Sequence, residues 1–294
     1  MNATLFVTWR IRQVTILAKN TKVAIRNVRS LIKKEEDDMV TTQSLAFCEG
    51  EFVVKTLEGA ELEQSFRLRH RVYAENLKWV PYSSDQCDTD IYDSWADSVG
   101  LFHREGRLVG VIRLLPSVQP FMLETEFREF LGPDFQIRKQ SDTNEITRLA
   151  LDPSLSHLKG LSARILRTLL KGLYLWTVEN GVRYSYMVVE ERFLRALNIM
   201  GFPARPISSP IAFPPAGARS IAAMLDWDEF RTENASRRPA FFEWISNIAD
   251  NSMYTGALAE WRDRLNGVEE RNLVLTGVSE PGGRRLEQNV LAEV

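Results

Sequence analysis

Cysteine and histidine are scarce, with two of the first (Cys48, Cys87) and three of the second (His70, His103, His157) in 294 residues. Two distant thiols cannot build a disulfide framework and fit a reducing compartment, so a cytoplasmic location is expected. Without a close cysteine pair or a His-Glu-x-x-His spacing, no metal site is expected. Glycine-rich phosphate loops and internal repeats are missing too. No apolar run approaches the roughly 18 residues of a membrane span. The apolar stretch 5–9 is cut by Arg10 and Arg12 before it reaches the length of a signal-peptide core. Charge of one sign is not in excess, since the net charge of −2 is near balance, and no nucleic-acid partner is expected.

What is present, 44% apolar and 26% charged residues, is the composition of a globular chain with ample material for a core. The balance hides a local asymmetry. From Met1 to Lys34 there are basic residues and no acidic one, followed by Glu35, Glu36, Asp37 and Asp38. Ala24, Ile25, Val28, Leu31 and Ile32 fall at helical spacing among these cations, as a basic amphipathic helix requires. Residues 1–47 are expected to be a dispensable basic leader, with Met39 a candidate start. Residues 48–234 are expected to form the main domain, and 235–294 a helical extension with a loose tail. The apolar stripes of the extension are Phe241, Ile245 and Ile248, then Tyr254, Leu258, Trp261 and Leu265.

Within the main domain the spacing predicts a strand at 51–56, a helix at 61–78 and a long polar loop around Pro81. A hairpin follows, with strands 100–103 and 108–115 turning at Gly106. A short helix is expected at 121–131, a strand at 144–151, a helix at 162–180 ended by Gly181, a strand at 184–189 and a helix at 191–200 closed by Gly201. The stretch 203–215 reads as loop with room for a strand. This is an α/β (α+β) order, a mixed central sheet flanked by helices.

Charges recur where such a fold would bury them. Arg69 and Tyr73 share a helix face, with Trp79 just beyond it. Asp90 and Asp93 bracket Tyr92 in a loop. Arg113 lies in an apolar strand, while Glu145 and Arg148, three apart in another strand, point to opposite faces unless a bulge intervenes. Two readings follow: an ion-pair scaffold, or a carboxylate cluster that accepts a cationic substrate and deprotonates its amine, held by arginines. On the helix at 162–180, Arg164, Arg167 and Lys171 form a basic stripe suited to an acidic partner or to phosphates, or simply a solvated face.

The set Arg69-His-Arg-Val-Tyr73 with Trp79, Asp90-Ile-Tyr-Asp93, Val109-Gly-Val-Ile-Arg113, Phe127 and Glu145-Ile-Thr-Arg148 resembles the acyl-homoserine-lactone synthases, the autoinducer synthases of bacterial quorum sensing. The likeness spans about 52–228. It departs at Tyr73, where that family usually carries phenylalanine, and at Thr147, where serine is common.

The resemblance implies a GNAT-like fold, in which an acyl-pantetheine arm enters where the Glu145 strand and the 184–189 strand splay apart. The segment His157-Leu-Lys-Gly160-Leu-Ser162 takes the place of a pyrophosphate loop but lacks its second glycine. The implied reaction is acyl transfer from acyl carrier protein or acyl-CoA to S-adenosylmethionine, a substrate rather than a cofactor, with lactone closure and release of methylthioadenosine. Glu145 would be the base and Arg148 its orienting partner. Arg69, Tyr73, Trp79, Asp90, Asp93, Arg113 and Phe127 would surround the sulfonium substrate, and strand backbone N–H groups would hold the oxyanion. An N-acyl amino acid synthase of the same superfamily, or a non-catalytic interaction protein, are the alternatives.

Overall fold

The computed structural model describes residues 42–155, 157, 160–213 and 217–248. Residues up to 41 of the basic leader, the pair at 158–159 within the segment that takes the place of a pyrophosphate loop, and the last apolar stripe at 254–265 lie outside the described residues. Among the described residues no helix is long and apolar enough to cross a membrane.

The chain opens with a hairpin, β1 (Ala46–Glu49) and β2 (Phe52–Thr56), turning at Gly50 with φ +59°. Helix α1 (Ala60–His70) continues into a π-helical turn, Arg71–Asn76, so the helix expected at 61–78 is present but widens before its end. Strands β3 (Asp97–His103) and β4 (Leu108–Pro116) form the hairpin expected around Gly106. Then come β5 (Thr143–Leu151), α2 (Leu161–Glu179), β6 (Tyr184–Glu190) and α3 (Glu191–Met200). The chain continues through β7 (Arg205–Pro206), β8 (Ile211–Phe213) and β9 (Ala218–Asp226) to α4 (Trp227–Arg237) and α5 (Pro239–Ser246).

One sheet runs in the order β1-β2-β3-β4-β5-β6-β9-β7, with β8 also on β9. Every pairing is antiparallel except β5 with β6. Alternation along the strands feeds two faces. Val54 and Leu101 join the main core with α2, whereas their neighbours Val53 and Phe102 pack with Leu68 and Val72 from α1 and its π-turn. Helix α2 lies close enough to β2 that a Cβ on Gly172 would stand 2.4 Å from Val54 Cγ1. An alanine there would force helix and sheet apart.

Several expectations are corrected. Segment 121–131 is not one helix but two 3₁₀ turns, Met122–Glu124 and Arg128–Phe130. Its buried side chains come in two blocks, Phe121–Leu123 and Phe130–Leu131, rather than as a stripe of helical period. The boundary at 48 cuts through β1, whose Phe47 is buried in the main core beside α2. The boundary at 235 cuts through α4, and Ile245 of α5 is buried in the same core as Trp227 and Phe230. The described part of the extension is therefore continuous with the main domain.

Candidate active site

Arg69 leaves the last turn of α1 fully buried, and Arg113 leaves the middle of β4 equally buried. Each must find carboxylates, because a buried unpaired charge is very costly. The loop between α1 and β3 delivers them. Arg69 donates from Nε to Asp88 Oδ2 at 3.0 Å and from Nη1 and Nη2 to Asp93 at 2.6 and 3.1 Å. Arg113 donates to Asp90 Oδ1 and Oδ2 at 2.6 and 3.0 Å, to Asp93 Oδ1 at 2.8 Å, and from Nε to Thr147 Oγ1 at 3.0 Å. The loop is set by Asp90, which accepts the Tyr92 N–H, while Asp93 accepts the Asp90 N–H.

Arg148 completes the group, donating from Nε to Asp88 Oδ2 at 2.9 Å and from Nη2 to Asp90 Oδ2 at 3.2 Å. It reaches this face because β5 carries a bulge. Val111 pairs with Ala150 but Arg113 with Thr147, which leaves one extra residue on β5. Arg148 takes it up at φ +50°, a conformation costing about 1–3 kcal/mol for such a side chain. Three arginines thus meet three aspartates. Burial works against the charged forms, yet Arg148 and Arg69 hold the Asp88 carboxyl below its usual range, and Arg69 and Arg113 do the same for Asp93.

Glu145 stands apart from this network. It is fully buried, and its oxygens accept the N–H groups of Met122 at 2.6 Å and Leu123 at 3.0 Å. Arg148 therefore does not orient it; the 3₁₀ turn at Met122–Glu124 does. Burial pushes the Glu145 carboxyl up to about 8, against the pull of those two N–H groups and of the Arg113 and Lys139 charges.

Pairing of β5 with β6 stops at Ile146–Met187, and beyond that point the strands diverge. Two cavities open at the divergence. The first, about 550 Å³, runs under α2 and α3 and is mostly apolar, with Leu170, Leu173, Phe193, Leu197 and Phe202 in its wall. The second, about 420 Å³, lies on the side of Met122, Glu126 and Phe127. Both are bordered by Tyr73, Trp79, Ile146, Thr147, Arg148 and Val188. Tyr73, from the π-turn, sits over this junction. Its hydroxyl donates to the Leu149 carbonyl at 2.6 Å, and the Arg148 guanidinium lies 5.5 Å from its ring centre. Burial pushes the Tyr73 hydroxyl up to about 12, so it remains a donor throughout the physiological range.

Of the residues expected to surround substrate, Tyr73, Trp79 and Phe127 border these cavities, and so does Arg148, expected instead to orient the base. Arg69, Asp90, Asp93, Arg113 and Glu145 border neither cavity; the first four form the ion-pair network, and Glu145 is bonded to the N–H of Met122, which lines the second cavity. The basic stripe of α2 divides. Arg164 pairs with Glu51 and Arg167 lies over the Trp244 ring, both exposed, but Lys171 is buried, bonded to Glu49 at 2.6 Å and facing Trp244. Lys171 is thus a structural cation and not part of a docking face. Gly160, at φ +78°, precedes α2 without a capping side chain. Asp88 and Glu126 escaped the sequence reading. Asp88 was detectable only as one more acid two positions before Asp90, and Glu126 only as the neighbour of Phe127.

Residues 54–235, more than half of the chain, match the autoinducer synthase family model. The chain is 31% identical over 154 residues to the acyl-homoserine-lactone synthase of Agrobacterium fabrum, covering 51% of this chain and 72% of the relative. It is 25% identical over 172 residues to that of Vibrio anguillarum, covering 58% and 88%. Among solved structures, the AHL synthase LasI superposes with a TM-score of 0.53 at 18% identity, over 60% of this chain and 89% of that one. A CoA-dependent acyl-homoserine lactone synthase, BjaI, with SAM and isopentyl-CoA, gives 0.54 at 19% identity, over 71% and 93%. At such identities the likeness of the structures speaks for the fold.

Proposed function

The chain belongs to the autoinducer synthase family, and on that premise we propose that it is an acyl-homoserine-lactone synthase, taking its acyl group from acyl carrier protein or acyl-CoA. The observation that carries this reading is the meeting of two cavities at the point where β5 and β6 part. One is mostly apolar, as an acyl chain requires; the other is walled by aromatics and carboxylates, as a cationic acceptor requires. S-adenosylmethionine in the second cavity would present its amine at the junction, where a thioester carbonyl carried by the first cavity would lie.

The amine nitrogen attacks the thioester carbon once its proton is removed. Glu145 receives that proton through a water at the Met122–Thr147 wall, its raised carboxyl being suited to a base near neutral pH. The oxyanion is held by backbone N–H groups of the diverging strands, worth up to about 3–4 kcal/mol per donor in comparable sites. Collapse of the intermediate breaks the carbon–sulfur bond and expels the carrier thiolate, which takes up the second proton lost by the nitrogen. The carboxylate oxygen of the acylated product then attacks the carbon bearing the sulfonium, and methylthioadenosine departs with the electron pair of the broken carbon–sulfur bond. Positioning suffices for this second step. The Arg69–Asp88–Arg148–Asp90–Arg113–Asp93 network fixes the wall against which both substrates are aligned.

The test is turnover of the full chain with S-adenosylmethionine and a panel of acyl carriers and acyl-CoA esters, following methylthioadenosine and product mass. Equal release of methylthioadenosine and acyl-homoserine lactone is expected. Acylated amino acid without methylthioadenosine would transfer the assignment to an N-acyl amino acid synthase, and absence of turnover with every donor would refute it.

A further inference from the structure

The second cavity contains a carboxylate, Glu126, that no cation among the described residues pairs with. Among the described residues its wall carries three ionisable groups, Arg148, Glu190 and Glu126, besides the Tyr73 phenol. Arg148 is neutralised by Asp88 and Asp90, and Glu190 is paired with Arg192. Glu126 is met instead by two neutral hydroxyls, those of Tyr92 and Thr125.

These hydroxyls give the carboxylate a fixed position. Tyr92 is buried, its ring lies 5.6 Å from the Arg113 guanidinium, and its backbone N–H is tied to Asp90. The anion on the cavity wall is thereby anchored to the same aspartate loop that organises the three arginines. An exposed glutamate normally samples many rotamers, and holding one in place costs side-chain entropy. Held as it is, Glu126 leaves the second cavity with one uncompensated negative charge, preorganised for a cation.

Its place in the cavity selects which cation. The residues shared with the apolar cavity lie at the acyl junction, whereas Glu126, Phe127, Val80 and Ser220 border the second cavity alone. The acceptor's amine must be at the junction, so the sulfonium, three carbons beyond that amine, falls within the part of the cavity that Glu126 borders. We propose that Glu126 recognises the permanent positive charge of the sulfonium, and so distinguishes the charged substrate from its uncharged thioether counterparts. This rests on the assignment of the second cavity to S-adenosylmethionine. It supplies a discrimination that the reaction needs, because only a sulfonium activates the adjacent carbon for ring closure.

The experiment is direct binding, by calorimetry without acyl donor, of S-adenosylmethionine and of S-adenosylhomocysteine, the neutral thioether, to the wild-type chain and to Glu126→Gln and Glu126→Asp. Glutamine keeps the shape and a hydrogen-bonding oxygen but removes the charge. Glu126→Gln is expected to weaken the sulfonium ligand about tenfold while moving the thioether less than about twofold, with Glu126→Asp restoring part of the preference. Equal weakening of both ligands, or of neither, would overturn the role of Glu126 while leaving the cavity assignment intact. Failure of the wild-type chain to bind either ligand would overturn the assignment itself.

Discussion

The Nε atoms of Arg69 and Arg148 meet on a single oxygen, Oδ2 of Asp88, at 3.0 and 2.9 Å. One arginine comes from α1 and the other from the bulge of β5, so Asp88 joins the helix that carries Tyr73 onward to the strand that lines both cavities.

Asp88→Asn is therefore expected to destabilise the fold by about 3 kcal/mol, since two cations lose one shared counter-charge but keep Asp93 and Asp90. The pH dependence has a definite sign. Because the Asp88 and Asp93 carboxyls are held below the usual range, their stabilising contribution is present above about pH 4 and is lost as pH falls further. Chemical denaturation from pH 6 to 2.5 should show a steep loss in the wild type and a shallower one in Asp88→Asn.

Glu145→Gln separates chemistry from support. With a carboxyl at about 8, wild-type kcat/KM is expected to climb with pH and level off above that value, as the base becomes ionised. The variant should lose that rising limb together with at least about 100-fold in kcat. Its stability relative to wild type has the opposite trend to the aspartates. A raised carboxyl contributes stability fully below about pH 4.5 and loses it as pH rises through about 8, so the advantage of wild type over Glu145→Gln should shrink between pH 5 and 9. A pH–rate profile with an unaltered limb in the variant would exclude Glu145 as the base.

Tyr73→Phe keeps the ring over the junction and removes the bond to Leu149. The carbonyl left without its donor is expected to lower stability by about 1–2 kcal/mol, measured by thermal unfolding, with turnover changed less than about threefold. The hydroxyl's worth lies in pinning the π-turn to the bulged strand.

Lys171→Met and the double change Arg164→Glu with Arg167→Glu should part company. The first leaves Glu49 without its cation and is expected to cost about 2 kcal/mol with the donor KM unaltered. The second is expected to raise the KM for an acidic carrier protein about tenfold while leaving unfolding within about 0.5 kcal/mol.

The sequence could be read wherever punctuation and period agreed. Gly106 marks the β3–β4 turn, Gly181 at φ +63° ends α2, and Gly201 at φ +101° ends α3, each at a position that favours glycine. Strand β9 escaped because Ile221 to Leu225 form one continuous apolar run packed on both faces, which gives no polar alternation to mark a strand. Helix α4 escaped because a mostly polar stretch buries few side chains, among them Trp227 and Phe230. Arg148 could not be assigned a face, since a bulge is a property of strand register and leaves no mark on composition. Lys171 shares helical spacing with Arg164 and Arg167, but only the tertiary arrival of Trp244 and Glu49 covers it. Spacing places residues on a side of a helix and cannot say what will come to lie over that side.

The divergence of β5 from β6 has a consequence for stability. Past Ile146 and Met187, each strand keeps its outer partner, β4 or β9, and presents its inner margin to the other across a wedge. The sheet is thus interrupted in its interior by two facing edges, an arrangement that elsewhere invites a third chain to pair. An amide-bearing pantetheine arm laid into that wedge would act as the missing rung between the two halves. Occupancy and folding would then be one equilibrium, with donor binding mending the sheet and raising its resistance to unfolding in proportion to the logarithm of donor concentration.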